Sequence, residues 1–136
     1  MPKTRTEVAQ FVIEAWNAHD AKKAFSLFTD DASDDDTTQP EKHSGIACQK
    51  YWADLFVAFP DVSFELSNII SSDDYAVIEC TFMGTQKGVF PAWTDNVVTG
   101  KQFKVRGAFV LRFRGNEVYE ITEYYNLGAI EKQLMG

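Results

Sequence analysis

The chain has 136 residues, which at roughly 100 to 200 residues per domain reads as one domain spanning residues 1–136. Its 13 Lys and Arg against 20 Asp and Glu leave a net charge of −7, and the pI near 4.7 argues against nucleic acid or an anionic membrane as partner. With 11 Phe, 5 Tyr and 3 Trp the composition excludes a disordered chain and points to a core of large flat rings, which can also line a cavity.

Thr4 followed by Glu7 fits a capping box, and Val8, Phe11, Val12, Ala15 and Trp16 then recur at helical spacing, so an amphipathic helix is expected from Thr4 to Trp16. Asn17-Ala18-His19-Asp20 interrupts it, and Asp20 is placed to cap a second helix carrying Ala24, Phe25, Leu27 and Phe28. The stretch from Asp30 to His43 is acidic and contains Pro40. Its five aspartates, Asp30, Asp31, Asp34, Asp35 and Asp36, read first as a solvated edge or loop, with a ligand-facing Asp34 as the alternative. They lack the glycine and distant glutamate of a calcium loop. Ser44 then caps a third expected helix with Trp52, Leu55, Phe56 and Phe59, stopped before Pro60.

From Asp61 the period changes to two. Val62, Phe64 and Leu66, and after a Ser71–Asp74 turn Ala76, Ile78, Cys80 and Phe82, alternate with polar or outward residues and predict two strands with one face toward a core. Residues 86–100 form a loop that Phe90 and Trp93 should anchor, and loops of this length often cover a site. A further strand has Phe103, Val105, Gly107, Phe109, Leu111 and Phe113 facing inward, and a turn at Gly115-Asn116 leads to a last strand, Glu117 to Asn126, with a short tail from Leu127 to Met135.

The patterned N-terminus shows no secretory signal, and no run approaches the roughly 18 apolar residues of a membrane span. Cys48 and Cys80 alone make neither a disulfide framework nor a metal site, so a cytoplasmic location is expected. With only His19 and His43, and no metal-ligand spacing, no metal site is expected. Nucleophile-elbow, phosphate-loop and dinucleotide motifs do not occur, so nucleophile-elbow hydrolase, nucleotide and nicotinamide chemistry have no support in the sequence.

The last hairpin carries the candidate site, because its register decides which carboxyl is buried. A three-residue loop, Arg114-Gly115-Asn116 with Asn116 left-handed, pairs Phe113 with Glu117 and puts Glu123 opposite Gly107. Tyr119, Ile121, Glu123 and Tyr125 then share the inner face with Val105 and Phe109, and Glu123 is the one acid on it. A carboxyl against aromatics, facing a residue without a side chain, has the desolvation and space of a general acid or base. A two-residue loop instead turns Thr122 and Tyr124 inward and leaves Glu123 on the surface.

Four stretches together resemble the SnoaL-like polyketide cyclases of the nuclear transport factor 2-like superfamily: Glu14-Ala-Trp-Asn-Ala-His-Asp20, Leu55-Phe-Val-Ala-Phe-Pro-Asp61, Val105-Arg-Gly-Ala-Phe-Val-Leu-Arg-Phe-Arg114 and Ile121-Thr-Glu-Tyr-Tyr-Asn126 with Gln133-Leu134. The resemblance covers nearly the whole chain. It implies an α+β cone, with N-terminal helices packed on a curved, mostly antiparallel sheet that encloses a pocket, and commonly a homodimer. It also implies cofactor-free ring closure by aldol condensation with an aspartate as acid/base. Glu123 matches that aspartate, one methylene longer. Phe109 stands where cyclases carry a histidine, Asp34 where a polar residue lines the pocket, and Asn126 where many relatives have a second aspartate. Val97-Val98-Thr99-Gly100 replaces the family's Pro-Pro-Thr-Gly.

The resulting expectation is a pocket for a small apolar, oxygenated molecule, worked by Glu123 as acid/base for aldol cyclisation or isomerisation. Tyr125 donates a hydrogen bond to the developing oxyanion, Asp34 contacts the ligand, and Phe109, Phe82 and Trp52 shape the walls. The alternative is a non-catalytic ligand-binding or dimerisation module of the same fold.

Overall fold

A computed structural model describes residues 2–136. Thr4 caps α1 (Arg5–Asn17), its hydroxyl accepting from the Glu7 amide while the Glu7 carboxylate accepts from the Thr4 amide. The apolar stripe Val8, Val12, Ile13, Ala15 and Trp16 is buried. Asp20 caps α2 as expected, but α2 covers only Ala21–Ala24. Phe25–Leu27 tightens into a 3₁₀ turn, and Phe28 opens the first strand instead of closing a helix.

The largest departure from the sequence reading follows at once. Phe28–Asp36 is β1, a strand in the interior of the sheet and not a solvated loop. Its backbone pairs in parallel with β6 (Glu117–Tyr125) on one side and antiparallel with the two-residue β2 (His43–Ser44) on the other. Those ladders override the poor strand propensity of an aspartate run. Ala32, Asp34 and Asp36 alternate inward and are buried, while Asp30 and Asp31 face solvent. Ser44, assigned above as a helix cap, pairs with Ser33 in β2, and Gly45 at φ +61° begins α3 (Ile46–Ala58) without a side-chain cap. Trp52, Leu55 and Phe56 of α3 are buried, as is Phe59 just beyond it.

The remaining strands are β3 (Ser63–Ser71), β4 (Tyr75–Thr85) and β5 (Gln102–Arg114), and the sheet order is β2-β1-β6-β5-β4-β3. Among the described residues only the β1–β6 pair is parallel. The sheet curves around α1 and α3, giving the α+β cone with a mostly antiparallel sheet that the sequence suggested. The inward residues of β4 and of β5 are buried as expected, Gly107 partly. Val62 just before β3 and Phe64 on it are buried, but Leu66 is 42% exposed at the sheet edge, next to a bulge at Ser67. The 86–100 loop is pinned by buried Phe90 and Trp93 around the short α4 (Pro91–Thr94), and the tail forms α5 (Leu127–Met135) against β5. No helix among the described residues is long and apolar enough to cross a membrane.

Candidate functional site: a buried carboxyl pair

The β5–β6 hairpin corrects the register. Its loop has two residues, Gly115 and Asn116, with Gly115 rather than Asn116 in the left-handed region at φ +63°, so Arg114 pairs with Glu117. On parity alone this turns Glu123 outward. A bulge intervenes: Phe113 pairs with Val118 but Arg112 pairs with Glu120, leaving Tyr119 as the extra residue. Val118 is therefore buried in place of Tyr119, and from Glu120 onward the inward set is Ile121, Glu123 and Tyr125. Glu123 faces Phe109, and Tyr125, not Glu123, lies opposite Gly107. The gap expected at Gly107 is filled by Phe82, whose ring comes within 2.9 Å of where a Cβ would stand.

Glu123 is 5% exposed and is not alone. Because β1 lies beside β6, Asp34 sits opposite Ile121 and Asp36 opposite Glu123, bringing three carboxyls to one inner edge of the sheet. Asp34 Oδ1 and Glu123 Oε2 are both buried without a hydrogen-bond partner, and each carboxyl acts on the ionisation of the other, so one proton held between the two acids would satisfy both. Burial pushes Glu123 well above the usual carboxylate range, and the Asp34 charge adds to the shift. Burial also raises Asp34, but a proton on the neighbouring Glu123 and the bond from Trp52 Nε1 at 2.6 Å favour its ionised form. The proton therefore belongs mainly to Glu123.

Asp36 is held differently. Its Oδ1 accepts from the Thr38 amide at 3.0 Å and the Thr38 hydroxyl at 2.6 Å, and its Oδ2 from Tyr51 at 2.7 Å and Tyr125 at 2.5 Å. Tyr125 in turn accepts from Trp93 Nε1 at 2.9 Å, so its proton is committed to Asp36 and not to a ligand oxygen in this arrangement. Burial holds both phenols protonated, with nearby carboxylates reinforcing the effect.

The ring residues named from the sequence surround the pair. Trp16 and Trp52 stack at 4.3 Å and 7°, Phe109 meets Trp16 edge-on at 5.1 Å, and Phe82 lies 5.8 Å from Phe109 and 5.7 Å from Tyr125. They fill the interior. A cleft of about 450 Å³ opens instead on the far side of Tyr51, between α3 and the α4 loop, lined among others by Gln39, His43, Tyr51, Phe90 and Ala92. Tyr51 stacks on His43 at 4.3 Å and joins the cleft to the acids through its bond to Asp36. Asp34, Trp52, Phe82, Phe109, Glu123 and Tyr125 do not line this cleft. Among the described residues, no three His, Cys, Asp or Glu side chains are arranged to hold a metal ion.

Asp36 and Tyr51 escaped the sequence reading as site residues. The signal available for Asp36 was the period-two spacing of Ala32, Asp34 and Asp36 inside the acidic run, and Tyr51 had none.

Residues 6–134 match the family model described as SnoaL-like polyketide cyclase. No curated protein matches the sequence. Among solved structures, a protein of the SnoaL-like polyketide cyclase type from Jannaschia sp. CCS1 superposes with a TM-score of 0.83 at 16% identity, covering 96% of this chain and 90% of that one. A protein with a ketosteroid isomerase-like fold from Catenulispora acidiphila, in complex with trimethylamine, gives 0.80 at 22%, covering 96% and 94%. TsrD from Streptomyces laurentii gives 0.80 at 18%, covering 96% and 93%. At these identities the likeness to the solved structures is one of fold.

Proposed function

The chain belongs to the SnoaL-like polyketide cyclase family, and from that premise we propose that it performs cofactor-free acid/base chemistry on a small apolar, oxygenated molecule, by aldol cyclisation or isomerisation. The observation that carries this reading is the buried Asp34–Glu123 pair, each with a carboxyl oxygen that has no hydrogen-bond partner, an arrangement that a single proton on Glu123 completes.

Two adjacent buried carboxyls resist being ionised together. Glu123 gives its proton to the ligand carbonyl oxygen, leaving two neighbouring carboxylates, and their repulsion draws the proton of the adjacent ligand carbon onto Glu123, so that the C–H bond breaks as the enol forms and the pair again holds one proton. One group thus serves as acid and then as base. Phe109 across the strand keeps water away from it, which strengthens each electrostatic contact. The ligand reaches the pair from the cleft at Tyr51, with displacement of the Tyr51–His43 stack and of Phe90.

One observation favours the second reading, a non-catalytic binding or dimerisation module: the rings that close over the pair. In that reading the pair is internal and never meets a ligand. A homodimer is proposed with either reading, through the outer sheet face that carries exposed Tyr124, and sedimentation showing a monomer at micromolar concentration removes it.

The test has two arms. Carbon-detected NMR titration, with Glu123→Gln to assign the signal, should place the Glu123 pKa clearly above about 4.3. In the second arm, deuterium exchange into 1-phenylbutane-1,3-dione is followed with and without protein. Glu123→Gln should lower the catalysed rate about 100-fold or more. A raised Glu123 with no catalysed exchange in this or related diketones moves the assignment to the binding module.

A further inference from the structure

We infer that Asp36 is a positioning residue for the acid pair: a carboxylate anchored by four donors, whose fixed negative charge beside Glu123 keeps the shared proton in place. This rests on the reading of Glu123 as the acid.

The hydrogen-bond directions argue it first. Asp36 receives two bonds on each oxygen, one from a backbone amide and three from hydroxyls. The amide can only donate. Tyr125 already accepts from Trp93 Nε1, which leaves its own proton for Asp36. Both phenols stay protonated because burial opposes their ionisation. A protonated Asp36 would give up at least one of these four donated bonds, so the arrangement favours the carboxylate, which can accept all four.

Position argues it second. Asp36 and Glu123 are direct partners on the parallel β1–β6 ladder, and Asp34 is two residues earlier on the same face. Glu123 is therefore flanked by one carboxylate with which it shares a proton and by a second with which it does not. Ionising Glu123 would create a third buried negative charge, and the Asp36 charge opposes that. The other groups facing the cluster act in smaller or different ways. Asp35, also on β1, adds like charge. Tyr51 on α3 and Tyr125 on β6 donate to Asp36, and His43 on β2 acts on Asp34 in the opposite sense to Asp36.

The division of labour is specific. Asp34 exchanges the proton, Asp36 supplies a charge that does not move, and the two phenols hold Asp36 so that it cannot rotate to take the proton itself. Tyr51 also lines the cleft, so a ligand that displaces it removes one of the four anchors at the moment the acid is needed.

The experiment is the NMR titration of Glu123 in wild type, Asp36→Asn and Asp35→Asn. Asp36→Asn should move the Glu123 pKa down by about one pH unit or more, with a smaller shift for Asp35→Asn. On the diketone, the limb where kcat/KM falls as Glu123 loses its proton should move to lower pH by the same amount, which a merely structural role would not produce. A raised Glu123 unmoved by Asp36→Asn overturns the inference and leaves the acid reading intact. A wild-type Glu123 titrating near 4.3 overturns the acid reading itself. Where Asp36→Asn does not fold, Tyr51→Phe decides: it removes one of the four donors that offset the Asp36 charge and should move the Glu123 pKa up, and a Glu123 pKa unmoved by Tyr51→Phe overturns the inference.

Discussion

The interior of this cone has two halves that reach the same burial by opposite means. On the side of α1, β3, β4 and β5, Trp16, Phe64, Phe82 and Phe109 pack ring against ring. On the side of β1 and β6, Asp36 is hydrogen-bonded to Tyr125, and the buried acids Asp34 and Glu123 lie close enough for each to shift the other's ionisation. The aromatic half draws its stability from area removed from water and from close contact, at about 1.5 to 3 kcal/mol per large side chain, and it is indifferent to pH. The acidic half is stable only while every group is partnered, which makes it sensitive to one proton. A binding or catalytic surface belongs on the second kind of interior, and the first kind holds it in shape.

The largest effect should come from the aromatic half. Phe64→Ala removes a ring that touches Trp16, Trp52 and Phe82, and should cost about 3 to 5 kcal/mol in urea unfolding, with no change in the pH dependence of stability. In the acidic half, Asp34→Ala leaves Trp52 Nε1 without its acceptor and Glu123 without its partner, and should cost about 2 kcal/mol. Asp34→Asn should cost less, since the amide can accept from Trp52 and donate to Glu123. If Asp34→Ala proves as costly as Phe64→Ala, the two halves are not the different kinds of interior described above.

How far the two halves were legible differs in the same way. The helix over Arg5–Asn17 and the alternation of β5 were readable because each buries one clean face, and periodicity records that face. The strand at Phe28–Asp36 was not, because a run of aspartates signals solvent, and only its neighbours β6 and β2 make it a strand. Glu123 was assigned inward through the wrong register. The loop is one residue shorter than expected and the bulge at Tyr119 restores the parity, so two offsets cancel. Parity arguments cannot see a bulge, which is a tertiary fit of the strand to its neighbours. Asp34, Trp52, Phe82, Phe109 and Tyr125 do gather around Glu123, but Tyr125 turns its proton to Asp36, and no motif announced the Tyr51–Asp36 contact.

The pH dependence sharpens the comparison at smaller amplitude. Glu123 binds its proton more tightly in the folded chain than in the unfolded one, where the value is about 4.3. Between that value and the raised native one, the folded state holds more protons than the unfolded state, so stability falls as pH rises. Each pH unit across that window lowers it by about 1.4 kcal/mol. Glu123→Gln should flatten this slope and be the more stable protein at the top of the window, as read by urea unfolding at several pH values. A wild-type slope of the opposite sign there means that the proton is not held in the native state.

The smallest effect separates the halves at the level of one N–H. Trp16 and Trp52 stack face to face, yet Trp52 Nε1 donates to Asp34 while Trp16 Nε1 is buried without a partner. Replacing either by Phe removes a similar volume. Trp52→Phe also deletes a hydrogen bond to a charged group, worth about 1.5 to 3 kcal/mol. Trp16→Phe deletes a donor whose desolvation is already uncompensated, which offsets the packing loss and should leave the net change within about 1 kcal/mol of zero. The difference between the two variants, measured side by side by urea unfolding, isolates the contribution of the carboxylate from that of the ring stack. Equal losses would mean that Asp34 does not hold its charge in the folded protein, and the acidic half would then be a neutral hydrogen-bond network with no more response to pH than the rings beside it.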